Sequence, residues 1–97
     1  MGNLNETHNA SVTEIQSHRE EIDKLDTEIV GLLNKRVKHS IAIRHLKPNA
    51  NMQLFDPVRE QEILMKLTAQ NSGPLTNEGL TSIYKVILKI MKETPDM

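Results

Sequence analysis

Apolar residues recur at helical spacing along almost the whole chain. Ile15, Ile22, Ile29 and Ile43 fall on one heptad register, and Leu25, Leu32 and Leu46 share a second with His18 and His39. No proline interrupts this run before Pro48, and its only glycine, Gly31, costs a helix about 1 kcal/mol without breaking it. Ser11-Val12-Thr13-Glu14 fits a capping box, in which the Ser and Glu side chains satisfy the first orphan amides. The pattern predicts a first helix over roughly 12–47, preceded by an Asn-containing, aperiodic and disordered tail over residues 1–10.

Two shorter helices follow. Pro48-Asn49-Ala50-Asn51 reads as a loop, and Asp56-Pro57 as a helix start: the Asp caps free amides, and the Pro sits where no hydrogen bond is lost. The second helix carries Val58, Ile63, Leu64 and Leu67 and runs to about Ala69. Asn71-Ser72-Gly73-Pro74 breaks the chain, and Thr76 caps a third helix. Leu80, Ile83, Tyr84, Ile87, Ile90 and Met91 give this helix an apolar face, and Pro95 closes it. No segment alternates with strand period, so the fold class is all-α, with residues 11–97 as a single domain.

Length changes how the first helix must be read. At about 1.5 Å per residue it reaches on the order of 50 Å. A compact chain of this size has a radius of gyration of only about 12–13 Å. The helix would carry an exposed apolar stripe beyond its own domain, so the expectation is an intimate homodimer with a second chain lying along it. With one Tyr, one Phe and no Trp among 97 residues, the core must come from Ile, Leu, Val and Met, and pairing enlarges it.

Composition removes several function classes. Lys and Arg total 12 against 13 for Asp and Glu, which argues against nucleic acid or an anionic membrane as the partner. Cysteine is absent, so disulfides, thiolate chemistry and Cys-based zinc sites fall away. The four histidines share no ligand spacing, so no metal is expected, and no redox or phosphate-loop motif calls for a cofactor. The polar N-terminus lacks an apolar targeting segment, and no run approaches membrane-spanning length, so a cytoplasmic protein is expected.

The candidate chemistry lies in the position of a few cations. Arg36 occupies the heptad position otherwise filled by Ile15, Ile22, Ile29 and Ile43, and burying a guanidinium there is costly unless an anion meets it. Lys47 lies about three turns on, pointing to nearly the same face, so both heads could meet one small dianion. Arg19 is roughly 25 Å before Arg36 along the axis and could reach that ligand only from an antiparallel partner. Taken singly, each cation also reads as a snorkelling side chain or half of a salt bridge, and Glu28 or Asp26 could pair with Arg36 across a dimer. Asp56, Arg59 and Glu60 open the second helix. They read equally as an ordinary helix start or as a place where Glu60 accepts from a ligand hydroxyl beside free amides.

Read together, these residues resemble a known family. Arg19 in His18-Arg19-Glu20-Glu21-Ile22-Asp23, Leu32-Leu33-Asn34-Lys35-Arg36, Lys47, and Phe55-Asp56-Pro57-Val58-Arg59-Glu60 are similar in order and spacing to the all-helical chorismate mutases. The likeness spans about residues 15–92. It implies an intertwined three-helix homodimer and the Claisen rearrangement of chorismate to prephenate, with no cofactor. It also implies that Arg36 and the partner chain's Arg19 bind the two carboxylates. Lys47 would contact a carboxylate and the ether oxygen, Asp56 and Glu60 would hold the ring hydroxyl, and Arg59 would line the pocket. Lys47, Arg36 and Glu60 are then the catalytic candidates.

Two places depart from the family pattern. The polar residues that the third helix usually supplies fall here at Met91 and Pro95, leaving Met91, Glu93 and Thr94 as its candidates. Arg44 stands where relatives commonly have a small residue. Neighbouring readings are an isochorismate pyruvate lyase, an aminodeoxychorismate mutase, or a non-catalytic helical module docking on a shikimate-pathway synthase.

Overall fold

The computed structural model describes residues 4–50, 52 and 56–96, with side chains from residue 7 onward. Three helices follow one another: α1 over Leu4–Leu46, α2 over Pro57–Gln70 and α3 over Asn77–Glu93, with no strand among the described residues. The chain divides into two compact units, residues 1–35 and 36–97, so the division falls inside α1.

In the first unit, α1 starts earlier than the sequence pattern predicts. Residues 4–10, expected as a tail, carry helical backbone, and Ser11 lies within the helix instead of capping it. No proline or glycine stands between Leu4 and Ser11 to stop the helix, and the Thr13 hydroxyl donates back to the Asn9 carbonyl at 2.9 Å. Residues 1–3 of the expected tail lie outside the described residues, as do Asn51 of the loop and Phe55 of the family motif. Val12, Ile15, Ile22, Leu25, Ile29, Val30 and Leu32 are all exposed, each with more than half of its surface accessible. One ion pair, Lys24 to Glu21 at 3.1 Å, lies on this exposed segment and contributes little in water.

The second unit contains the last turns of α1 together with α2 and α3. Lys47 donates its backbone N–H to Ile43 at 2.9 Å, and its carbonyl accepts from Ala50 and Met52 at 3.1 and 2.9 Å, so a hydrogen-bonded turn closes α1. Asp56 caps α2 as expected: its Oδ1 accepts from the Arg59 amide at 2.9 Å, with Pro57 in the first turn. Between α2 and α3, the Asn71 side chain donates to the Leu75 carbonyl at 2.7 Å and to Asn77 Oδ1 at 2.8 Å. Gly73, at φ 78°, takes the left-handed conformation that this turn needs and that a side chain would oppose. Thr76 caps α3 by accepting from the Gly79 amide at 3.0 Å.

Packing of α2 against α3 selects a face slightly rotated from the one predicted. Leu80, Tyr84, Ile87 and Met91 are shielded as expected, but Leu88 joins Met91 as the buried pair, while Ile83 and Ile90 remain about half exposed. On the end of α1, Arg36, Val37, Ser40, Ile41, Arg44 and Lys47 form the half-buried face, whereas Ile43 and Leu46 are exposed. Within this unit the heptad residues Ile43 and Leu46 are thus left outside the covered face, whereas Arg36 lies on it.

Candidate active site

A cleft of about 560 Å³ opens within the second unit, lined by residues from all three helices and the turn after α1. The end of α1 contributes Arg36, His39, Ser40, Ile43 and Arg44, and Lys47 follows from the turn. The start of α2 contributes Arg59, Glu60 and Ile63 behind the capping Asp56, and the end of α3 contributes Leu88, Met91 and Lys92. Spacing explains the first set. Arg36, Ser40 and Arg44 succeed one another at the four-residue helical interval, and Lys47 extends the same stripe.

Arg36, Arg44, Lys47, Arg59 and Lys92 outnumber the carboxylates Asp56 and Glu60 along this lining, while Ile43, Ile63, Leu88 and Met91 supply apolar wall. A cleft of this composition suits a small anion with a hydrocarbon skeleton. Cations held in a partly desolvated concavity attract carboxylates more strongly than the same charges in open water.

Several of the charges are already held by the fold. Glu60 Oε1 meets Lys92 Nζ at 2.9 Å, joining the first turn of α2 to the last turn of α3. Arg44 reaches the end of α3, where its guanidinium donates to the carbonyls of Lys92 at 3.3 Å and Thr94 at 2.5 Å. The same group lies 3.8 Å from Asp96 Oδ1, and His45 Nε2 lies 2.7 Å from Asp96 Oδ2. These carbonyls carry the negative end of the α3 dipole, so a guanidinium is a suitable partner. Arg59 points toward Glu62 at 3.8 Å, both side chains being mostly exposed.

The cleft brings together Arg36, Lys47, Asp56, Arg59, Glu60 and Met91, six of the site candidates singled out in the sequence. Glu93 and Thr94 are not among its lining residues. The Thr94 hydroxyl donates to the Ile90 carbonyl at 2.7 Å, closing α3 before Pro95, so the last turn does not carry Glu93 inward. Arg19 lies exposed on α1 in the first unit. His39, Ser40, Ile63, Leu88 and Lys92 also line the cleft, although the sequence pattern marks none of them as a site residue. The signal for Ser40 was its place between Arg36 and Arg44 on one stripe, whereas nothing local to Lys92 announces a partner on α2. Among the described residues, no cluster of His, Cys, Asp and Glu could hold a metal ion, and no helix is long and apolar enough to cross a membrane.

Comparison with known proteins bears directly on this arrangement. The family model for chorismate mutase type II matches residues 18–94. The chain is 38% identical over 79 residues to a bifunctional chorismate mutase/prephenate dehydratase of Aquifex aeolicus, an alignment that covers 77% of this chain and 22% of that protein. It therefore spans only about a fifth of that relative's length. A chorismate mutase structure from Thermus thermophilus superposes with a TM-score of 0.77 at 36% identity, covering 80% of this chain and 98% of that one. The chorismate mutase of Helicobacter pylori, solved in complex with prephenate, gives a TM-score of 0.75 at 34% identity, covering 84% of this chain and 88% of that one. With a family match running from about a third of the way along α1 to the residue after α3, this chain belongs to the chorismate mutase type II family.

Proposed function

We propose that this cleft rearranges chorismate to prephenate. The observation that carries the reading is the convergence of Arg36 and Lys47 with Asp56, Arg59 and Glu60 on one concavity, in a chain of this family. The rearrangement is intramolecular: the ether C–O bond breaks as a C–C bond forms, and no proton, electron or group is exchanged with the protein. No nucleophile is required. The protein must hold a folded conformer and match the charge that develops as the C–O bond opens.

The roles follow from position and charge. Arg36 takes a substrate carboxylate. Lys47 takes a carboxylate and the ether oxygen, where negative charge grows in the transition state, so its contact strengthens as the reaction proceeds. Glu60 accepts a hydrogen bond from the ring hydroxyl, which the Asp56 backbone amide also helps to hold. Arg59 lines the same pocket, and Met91 with Leu88 packs against the ring. A millionfold acceleration corresponds to about 8 kcal/mol, within reach of a few preorganised ionic contacts.

The second carboxylate is met by Arg19 of a second copy of the chain. The exposed stripe of Val12, Ile15, Ile22, Leu25 and Ile29 supports pairing, because contiguous apolar surface of this kind marks an interface. Incubating the purified chain with chorismate and, separately, isochorismate, followed by product identification, tests the assignment. Prephenate from chorismate is expected, and release of pyruvate from isochorismate in its place would overturn it.

A further inference from the structure

We propose that Lys92 sets the cleft's choice between a hydroxyl and an amine on the ring carbon that faces Glu60, admitting the neutral hydroxyl and rejecting an ammonium. The inference rests on the rearrangement proposed above and specifies which dianions of that class the cleft accepts.

Its basis is the 2.9 Å contact between Lys92 Nζ and Glu60 Oε1, both residues lining the cleft. The Glu60 side chain is 28% exposed and that of Lys92 47%, so the pair sits at the wall of the cleft and is not dispersed in solvent. Both ends are anchored through their backbones. Glu60 donates its amide to the Asp56 carbonyl at 3.2 Å in the first turn of α2, and the Lys92 carbonyl accepts from Arg44 at 3.3 Å.

A glutamate in such a cleft would, by itself, attract any cationic substituent on the ligand. Lys92 supplies that cation from within the protein. It occupies Oε1 and leaves Oε2 to accept from a neutral O–H. A ligand ammonium directed at the same carboxylate would lie beside the lysine charge, and like charges placed together discriminate by repulsion. Other cations reinforce this bias: Lys85 and Lys89 line an adjoining groove of about 220 Å³ that shares both Glu60 and Lys92. The nearby Arg59 leans toward Glu62 and leaves the Glu60–Lys92 pair intact.

The test compares kcat/KM for chorismate and for 4-amino-4-deoxychorismate at pH 6, where the amine carries a proton. The unaltered chain, Lys92→Met and Lys92→Arg are measured side by side. Lys92→Met is expected to shift the amine-to-hydroxyl ratio at least tenfold toward the amine, while Lys92→Arg keeps the original ratio. An unchanged ratio in Lys92→Met with chorismate turnover retained overturns the proposal and leaves the rearrangement standing. Should Lys92→Met lose turnover of both compounds, calorimetric dissociation constants for the two supply the same ratio, and an unchanged value is again fatal to it. If the unaltered chain converts neither compound, the rearrangement itself falls, and this inference with it.

Discussion

The guanidinium of Arg44, near the end of α1, donates to the carbonyl of Thr94, the residue that caps the C-terminus of α3, at 2.5 Å. A second donation, to the Lys92 carbonyl at 3.3 Å, makes Arg44 a two-point clasp on the helix end that also presents Met91 and Lys92 to the cleft. Only 28% of its side chain is exposed. This arginine therefore has a structural role, because it satisfies carbonyls that the end of α3 leaves without intrahelical partners.

Replacing Arg44 should act on both stability and turnover. Arg44→Ala is expected to destabilise the chain by about 1–3 kcal/mol, since charge-assisted hydrogen bonds to helix-end carbonyls are lost. It should also lower kcat/KM by loosening Met91 and Lys92. Arg44→Lys should recover part of the melting temperature but not the two-point geometry. Thermal melts and kinetics on both variants check this, and an Arg44→Ala chain that matches the unaltered one in both would refute the clasp.

Lys47 offers the cleanest test of mechanism. Its side chain lines the cleft from a turn whose backbone hydrogen bonds do not depend on it, so Lys47→Ala should fold normally. Loss of a cation aimed at developing oxyanion charge costs about 10²–10³ in kcat, by analogy with removal of a single oxyanion donor. Circular dichroism with steady-state kinetics would reveal it, and normal turnover would remove Lys47 from the chemistry.

Arg19 is the test of shared sites. Arg19→Ala and Lys47→Ala chains should each be nearly inactive, yet regain part of the activity when mixed and allowed to exchange, because one hybrid site would then carry both cations. Native mass spectrometry, which resolves the mixed dimer from the two parental dimers by mass, verifies the heterodimer. Without rescue in a verified mixture, donation of Arg19 between chains cannot stand.

Asp56 separates capping from ligand binding. Asp56→Ala removes the acceptor for the Arg59 amide and should cost about 1 kcal/mol, whereas Asp56→Asn keeps an equivalent cap. If the ligand contact is made by the backbone amide, Asp56→Asn should keep its KM within about twofold, on the small effect of an equally good cap. A large rise in KM for Asp56→Asn alone would instead point to the carboxylate.

What could be read before any tertiary structure was local in origin. The starts of α2 and α3 follow from Asp56-Pro57 and Thr76, because a cap is a contact spanning only a few residues. The face shared by Arg36 and Lys47 follows from helical period alone. Where local signals compete, composition alone misleads: Ser11-Val12-Thr13-Glu14 has a cap's composition, yet with no breaker upstream the helix runs back to Leu4.

The amino-acid sequence by itself determined an all-helical chain with its cations on one stripe and an acidic helix start, since each depends on neighbours within a turn or two. Only the tertiary structure decided that Lys92 meets Glu60 and that Arg44 holds the end of α3, at separations of 48 and 50 residues for its two carbonyl contacts. Pairings of that range depend on how α2 packs on α3 and on which face of α3 turns inward. The choice of Leu88 over Ile83 for the core is a property of that packing, and no helical period in the sequence contains it.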